Sequence, residues 1–153
     1  MDLDAPCSVA ELFDSVEDLG DYPEWLEIVE RAEAAPAHPD DDGDAAWLVD
    51  LRGRLGPLAR SKRLRMVRTV CDAPQRVRFE RREHDGRTHS PWVLEAEVSA
   101  AEEAGTAGSA DGTGSRLIMR LHYGGSFGGS VLEKLLGDAI ERSRPALLAR
   151  LAD

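Results

Sequence analysis

From Ala45 to Glu97 apolar and charged residues alternate at a period of two, in run after run, a pattern that suits half-buried β-strands. Trp47, Val49 and Leu51 alternate with Leu48, Asp50 and Arg52; Leu64, Met66 and Val70 with Arg63, Arg65 and Thr69; Val77 and Phe79 with Arg76, Arg78 and Glu80. Strands of this kind have one wet face and one that must be covered. Asp85-Gly86 is a residue pair favoured by two-residue hairpin turns, and it leads into Trp92, Leu94, Ala96 and Val98. A last run, Arg116 to Tyr123, adds Leu117, Met119 and Leu121 to the apolar parity. The cover is predicted at the C-terminus, where Leu132, Leu136, Ile140, Leu147 and Leu151 form one stripe along about 23 residues, or roughly 34 Å of helix. Ser130 and Glu133 are its expected cap. Pro145 is expected to kink it, because the ring removes an amide donor and crowds the carbonyl four residues back.

The N-terminal third follows other rules. Met1 to Ala5 reads as extended and is ended by Pro6. Ser8 with Glu11 spells a capping box, and Val9, Leu12, Phe13 and Val16 give the helix behind it one buried face. Gly20 is expected to close that helix, and Asp21, Pro23 and Glu24 to restart a helical turn ending near Trp25 and Leu26. Ile28 to Ala34 reads as a strand. Ala35 to Asp44, with two prolines and four aspartates, reads as a solvated, mobile loop, and Ala100 to Ser115, small, Gly-rich and acidic, as a second one.

This element order predicts an α+β domain spanning 1–153: a curved antiparallel sheet of about seven strands wrapped around a long C-terminal helix, with two short helices between strands 1 and 2. With Asp4-Ala5-Pro6, Val9 to Phe13, the segment Asp18-Leu19-Gly20-Asp21-Tyr22-Pro23-Glu24-Trp25-Leu26 and the terminal helix in place, the sequence resembles the START-like helix-grip superfamily (SRPBCC) of polyketide cyclases and lipid-transfer proteins. The resemblance covers nearly the whole chain in element order, while its distinctive wording lies in the first 30 residues. A shorter first strand, and Ala100 to Ser115 in place of a tight hairpin, set this sequence apart. The resemblance implies a hydrophobic cavity between sheet and helix, holding a lipid, a quinone or a polyketide-like molecule that the protein shields or carries. It implies two alternatives as well: a polyketide cyclase or aromatase, and a ribosome- or quinone-associated interaction protein.

Hairpin arithmetic places Phe79 opposite Trp92, Val77 opposite Leu94, Val70 opposite Val77 and Arg68 opposite Phe79; pairing Leu51 with Leu64 brings Trp47 to Arg68 as well. Arg68 then sits among Trp47, Phe79 and Trp92, and Arg81 lies beside Met66 and Ser90 on the same face. A buried guanidinium needs a partner, so Arg68 is either an anchor for an acidic or carbonyl-bearing ligand end or a structural arginine stacked on tryptophan. The candidate ligand-binding residues are Trp47, Val49, Leu51, Met66, Arg68, Phe79, Arg81, Trp92, Leu94, Met119, Leu121 and Tyr123 from the sheet, with Leu136 and Ile140 from the helix. If a reaction occurs, Arg68 and Tyr123 are expected to orient a poly-ketone chain.

The opposite parity carries Arg52, Arg54, Arg63, Arg65, Arg76, Arg78 and Arg82, with Arg52 facing Arg63 and Arg65 facing Arg82, while Asp50 and Glu95 are expected to neutralise only Arg65 and Arg76, in part. Like charges in register weaken a sheet, so this face is either solvated or meets an acidic partner such as RNA, an anionic membrane or another subunit's acidic half. Charge is unevenly spread: residues 1–50 hold sixteen acids and one base, residues 51–90 twelve bases and four acids, within a net charge of −10. That disfavours nucleic-acid binding along the whole chain.

Other chemistries find little footing. No apolar run reaches the roughly 20 residues that span a bilayer, and Asp2 and Asp4 stand where a secretory leader is basic, so the expectation is a cytoplasmic protein with Cys7 and Cys71 reduced. Glycines 124, 125, 128 and 129 precede a helix but lack the Lys-Ser/Thr of a phosphate loop, and read as a flexible junction. His38, His84, His89 and His122 fall on separate loops and turns, so no metal centre is expected; nor is a cofactor, and no nucleophile-His-acid arrangement is legible.

Overall fold

The computed structural model describes residues 1–52, 62–101, 114–125 and 129–153. Seven strands form one antiparallel sheet: β1 (Asp2–Ala5), β2 (Val29–Ala34), β3 (Ala46–Leu51), β4 (Lys62–Asp72), β5 (Arg76–Arg81), β6 (Trp92–Ala100) and β7 (Ser115–Tyr123), in the order β1-β7-β6-β5-β4-β3-β2. Between β1 and β2 lie α1 (Val9–Asp14) and a 3-10 turn (Leu19–Glu24); the chain ends in α2 (Gly129–Arg142) and α3 (Arg144–Ala152). This is the expected α+β helix-grip architecture. The alternation puts Leu3, Val49, Leu64, Met66, Val77, Phe79, Leu94, Ala96, Leu117 and Met119 on the covered face, all buried, with α1 packed on β6 and β7, α2 on β7 and α3 against β1. Among the described residues no helix is long and apolar enough to cross a membrane.

The capping box forms as expected. Ser8 Oγ accepts from Glu11 N at 3.3 Å, and Glu11 Oε2 accepts from Ser8 Oγ at 2.7 Å and from Ser8 N at 2.8 Å; these two bonds, the hydroxyl's first, hold the Glu11 carboxyl below its usual value. The helix behind it ends at Asp14, however, and Gly20 sits inside the 3-10 turn instead of closing the helix. Tyr22 locks that turn: its hydroxyl donates to Val16 O at 2.8 Å beneath full burial.

Four further expectations need correction. First, the hairpin registers differ by two residues: Leu51 pairs with Lys62 and Val49 with Leu64, Phe79 with Leu94 and Val77 with Ala96. A slip of two keeps every side chain on its face, so burial survives while neighbours change. Second, a bulge between Arg68 and Val70 pairs Val70 with Arg78, so Val70 leaves the covered face. Third, the 35–44 stretch is not wholly solvated: a 3-10 turn, Pro39–Asp41, puts Asp41 in full burial against the outer face. Fourth, the terminal helix begins at Gly129, so Ser130 lies within it; the bend expected from Pro145 is present and falls at Ser143, dividing the helix into α2 and α3. The loop Arg54 to Ser61, the core of the 100–115 excursion and Ser126 to Gly128 fall outside the described residues.

Ser143 stitches the helix break to the sheet side. Its hydroxyl donates to Ala139 O at 3.1 Å and accepts from Glu27 N at 3.1 Å, with the residue buried. Ser143→Ala leaves the Glu27 amide without an acceptor and is expected to cost about 1–3 kcal/mol in urea unfolding. An unchanged midpoint would show that the amide finds another partner.

Candidate functional site

Where the sheet, the 3-10 turn and α2 meet, packing leaves a cavity of about 50 Å³. Its walls are Leu19, Tyr22, Leu26, Ile28 and Val29 on one side, Val49, Leu51, Leu64, Met66, Trp92, Leu94 and Leu121 from the sheet, and Ile140 from α2. A space so small and apolar stays dry. Burial raises the Tyr22 phenol far above its usual range, and Asp18 adds to the shift, so Tyr22 remains neutral at any physiological pH.

Seven of the predicted residues line this cavity: Val49, Leu51, Met66, Trp92, Leu94, Leu121 and Ile140. Trp47, Phe79, Met119 and Leu136 are buried in the core outside the lining. Arg68 is also outside it. Its guanidinium donates to Glu17 O at 3.0 Å, pairs with the Glu17 carboxylate at 3.6 Å and lies 5.8 Å from the Trp47 ring centre, the structural alternative for this residue; Trp92 is not its neighbour. Arg81 does lie beside Met66, but it is engaged with Glu83 at 2.9 Å, His89 Nδ1 at 3.2 Å and Ser90 O at 3.4 Å. A guanidinium can only donate, so His89 Nδ1 is the acceptor there and its Nε2 carries the proton toward Asp85, 2.8 Å away.

Sequence reasoning missed Lys62. It shares the inward parity of Leu64 and Met66 and pairs with Leu51, both neighbours being cavity walls. Its ammonium lies 5.2 Å from the Trp92 ring centre and 5.9 Å from that of Tyr123, and the two rings meet edge to face at 5.1 Å. Burial, then the charge of Arg81, lowers its pKa below the usual lysine value, against a weaker pull from Glu83. A Cβ at Gly125 would fall on the Tyr123 hydroxyl, so glycine there lets the chain close over this ring. Trp92 is buried, and its indole N–H has no acceptor among the described residues.

The outer face is neutralised from within. Arg63, in place of the expected Arg65, makes a two-pronged contact with Asp50 at 2.7 and 2.9 Å, because the β3–β4 register sets those two residues opposite each other; Arg76 meets Glu95 as expected, Arg78 meets Glu80 at 3.2 Å and Arg120 meets Glu97 at 3.3 Å. Arg65, expected outside, is buried under the 35–44 segment, with Nη2 at 2.8 Å from Asp41 and 3.0 Å from Pro36 O. Of the residues proposed to meet an acidic partner, Arg63, Arg65 and Arg78 thus have carboxylates of their own, leaving Arg52 and Arg82; that partner finds no support.

Two histidines also come together against expectation. His38 and His84 stack at 3.5 Å with planes 5° apart, and His84 Nε2 lies 3.1 Å from Asp41. Their ligand atoms and one from Asp40 fall within 4.8 Å of one another. The in-plane lone pairs of parallel rings run side by side, however, and cannot both meet one ion at the roughly 2.0–2.1 Å of a metal–imidazole bond. The stack buttresses Asp41.

Over residues 5–152 the sequence matches the profile of the family described as Polyketide cyclase / dehydrase and lipid transport. Among solved structures it is similar to a START superfamily protein from Mycobacterium smegmatis, at 12% identity and a TM-score of 0.67 over 99% of this chain and 94% of that one. It is similar to the protein XoxI from Bacillus cereus, at 8% identity and a TM-score of 0.65 over 100% and 94%. The Zhui aromatase/cyclase from a Streptomyces species gives 11% identity and a TM-score of 0.61 over 99% and 91%. At such identities these likenesses are of fold. No curated protein matches the sequence.

Proposed function

The chain belongs to the polyketide cyclase / dehydrase and lipid transport family, and from that premise we propose that it binds and shields a hydrophobic or amphipathic small molecule between its sheet and α2. The observation that carries this reading is the cavity itself, walled by thirteen side chains of which none is charged. Binding is favoured over catalysis because Tyr22, the one lining residue with an acidic proton, has its hydroxyl committed to Val16 O and its pKa raised. Ligand pockets usually measure about 300–1,000 Å³. The cavity of about 50 Å³ is therefore a closed form, and a ligand enlarges it by parting α2 from the sheet, Leu132, Leu136 and Ile140 leading. The helix break at Ser143 lets α2 move without α3.

A neutral apolar fluorophore, N-phenyl-1-naphthylamine, tests the reading. It is expected to bind with micromolar affinity and to change the emission of Trp92. Val49→Phe places a ring in the cavity and is expected to weaken binding at least tenfold, with a stability change under about 1.5 kcal/mol because the added volume meets empty space. Failure of the wild type to bind, or binding unaffected by Val49→Phe, would remove the cavity from consideration.

A further inference from the structure

On the reading just given, the lining accounts for an apolar body but not for a polar end. Three observations meet at the cavity's Lys62 side. Among the described residues Lys62 has no carboxylate within ion-pair distance, unlike the other two basic residues of the inner face, Arg68 with Glu17 and Arg81 with Glu83. The Glu83 carboxylate, whose charge acts on Lys62, already accepts from Arg81 Nε at 2.9 Å and from Arg65 N at 3.2 Å. Among the described residues Lys62, Arg81 and Glu83 therefore leave one uncompensated positive charge here, in a chain whose net charge is −10. Beside it, Trp92 lines the cavity, is 2% exposed, and carries an indole N–H with no acceptor among the described residues. A buried donor without a partner is costly, and an ammonium held over two aromatic rings keeps an unfilled electrostatic demand.

We infer that the ligand carries a carboxylate at the end of its apolar body, and that Lys62 and the indole N–H of Trp92 receive it while the body fills the space between Leu51, Leu94 and Ile140. The ion pair replaces the cation–π contact, and the carboxylate supplies the acceptor that the indole lacks. An ammonium also fits the ligand class in sign: cations are repelled here, and a neutral alcohol gains only the weaker hydrogen bonds. The acid has two sources, a linear aliphatic chain or a fused aromatic ring system, and the shared carboxylate is what the site reads.

The test is calorimetric titration of the intact chain with decanoate, decan-1-ol and 2-naphthoate, against Lys62→Met and Lys62→Arg, each checked for folding by thermal melting. An acid is expected to bind the wild type roughly ten- to a hundredfold more tightly than the alcohol, the usual range for a charge-assisted hydrogen bond. Lys62→Met should abolish that preference and Lys62→Arg should retain it. Acid binding should also weaken as pH rises through a value below the roughly 10.4 of an ordinary lysine, a dependence absent from Lys62→Met. Tighter decanoate binding assigns the aliphatic source, tighter 2-naphthoate the aromatic one. Equal binding of acid and alcohol, or a preference that survives Lys62→Met, overturns the inference while leaving the apolar cavity as a binding site. Binding of none of the three overturns both.

Discussion

Asp41→Ala is expected to destabilise the protein by about 3–5 kcal/mol at neutral pH, a fall of roughly 6–20 °C in Tm, because it strands Arg65 in a buried position with no countercharge. Asp41 is fully buried and Arg65 is 8% exposed, with 2.8 Å between their charged atoms and His84 3.1 Å away on the other oxygen. Burial pushes the Asp41 pKa up, but Arg65 and His84 beside it together outweigh that push and hold it below 3.8. A depressed folded pKa contributes stability that is complete above the unfolded value near 4 and disappears as pH falls through the folded value. The gap between wild type and Asp41→Ala should therefore be widest at neutral pH and close below about pH 4. Exchanging both partners, Asp41→Leu with Arg65→Met, should recover part of the loss, since an apolar pair needs no countercharge. Equal melting temperatures at pH 7, or a gap indifferent to acid, would show that the pair is not buried as described.

Phe79→Ala should cost a similar amount, about 3–5 kcal/mol, for a different reason. The ring is wholly buried at the centre of the inner face, edge-on to Tyr22 at 6.1 Å and to Trp47 at 5.7 Å. Removing it deletes apolar burial and two aromatic contacts and leaves a hole that a sheet, fixed by its ladders on both sides, collapses into poorly. The urea midpoint should fall with the slope unchanged. A loss under 1 kcal/mol would mean that the 3-10 turn settles onto β5, and that the packing around the cavity is more pliable than its distances suggest.

Those two residues mark what a reader of the sequence can and cannot see. Phe79 is legible because strand parity is local: each residue's face follows from its neighbours two positions away, which is why the covered face is recovered from Trp47 to Met119 with Val70 as the exception. Val70 fails because a bulge at Thr69 adds one residue to one strand, and neither residue type nor spacing announces it. The two-residue register slips at Leu51–Lys62 and Phe79–Leu94 depend on how much chain the turns consume, a quantity hydrophobic pattern does not contain. Asp41 is illegible for another reason: its partners Arg65 and His84 are 24 and 43 residues away, and an acidic, Pro-rich stretch looks the same whether it is free or folded onto an arginine. At the candidate site, the aliphatic walls follow from periodicity, whereas the polar end does not. Arg68 draws attention as a charge on an apolar parity, yet Glu17, which answers it, belongs to a segment 51 residues earlier. Lys62 lies on the same parity and is the one left unanswered among the described residues.

The strand order also sets a timetable for synthesis. β1 lies at one end of the sheet and, among the described residues, pairs only with β7, with Leu3 against Leu117 and Ala5 against Ser115. During translation β1 therefore emerges first and finds its ladder only after some 110 further residues have followed, several seconds later at the usual 5–20 residues per second. Strands β3 to β6 pair with sequence neighbours as they appear, while β1 waits with unpaired amides. Its alternation of Asp2 and Asp4 with buried Leu3 and Ala5 keeps that waiting segment short and charged, poorly suited to pairing with a neighbouring nascent chain.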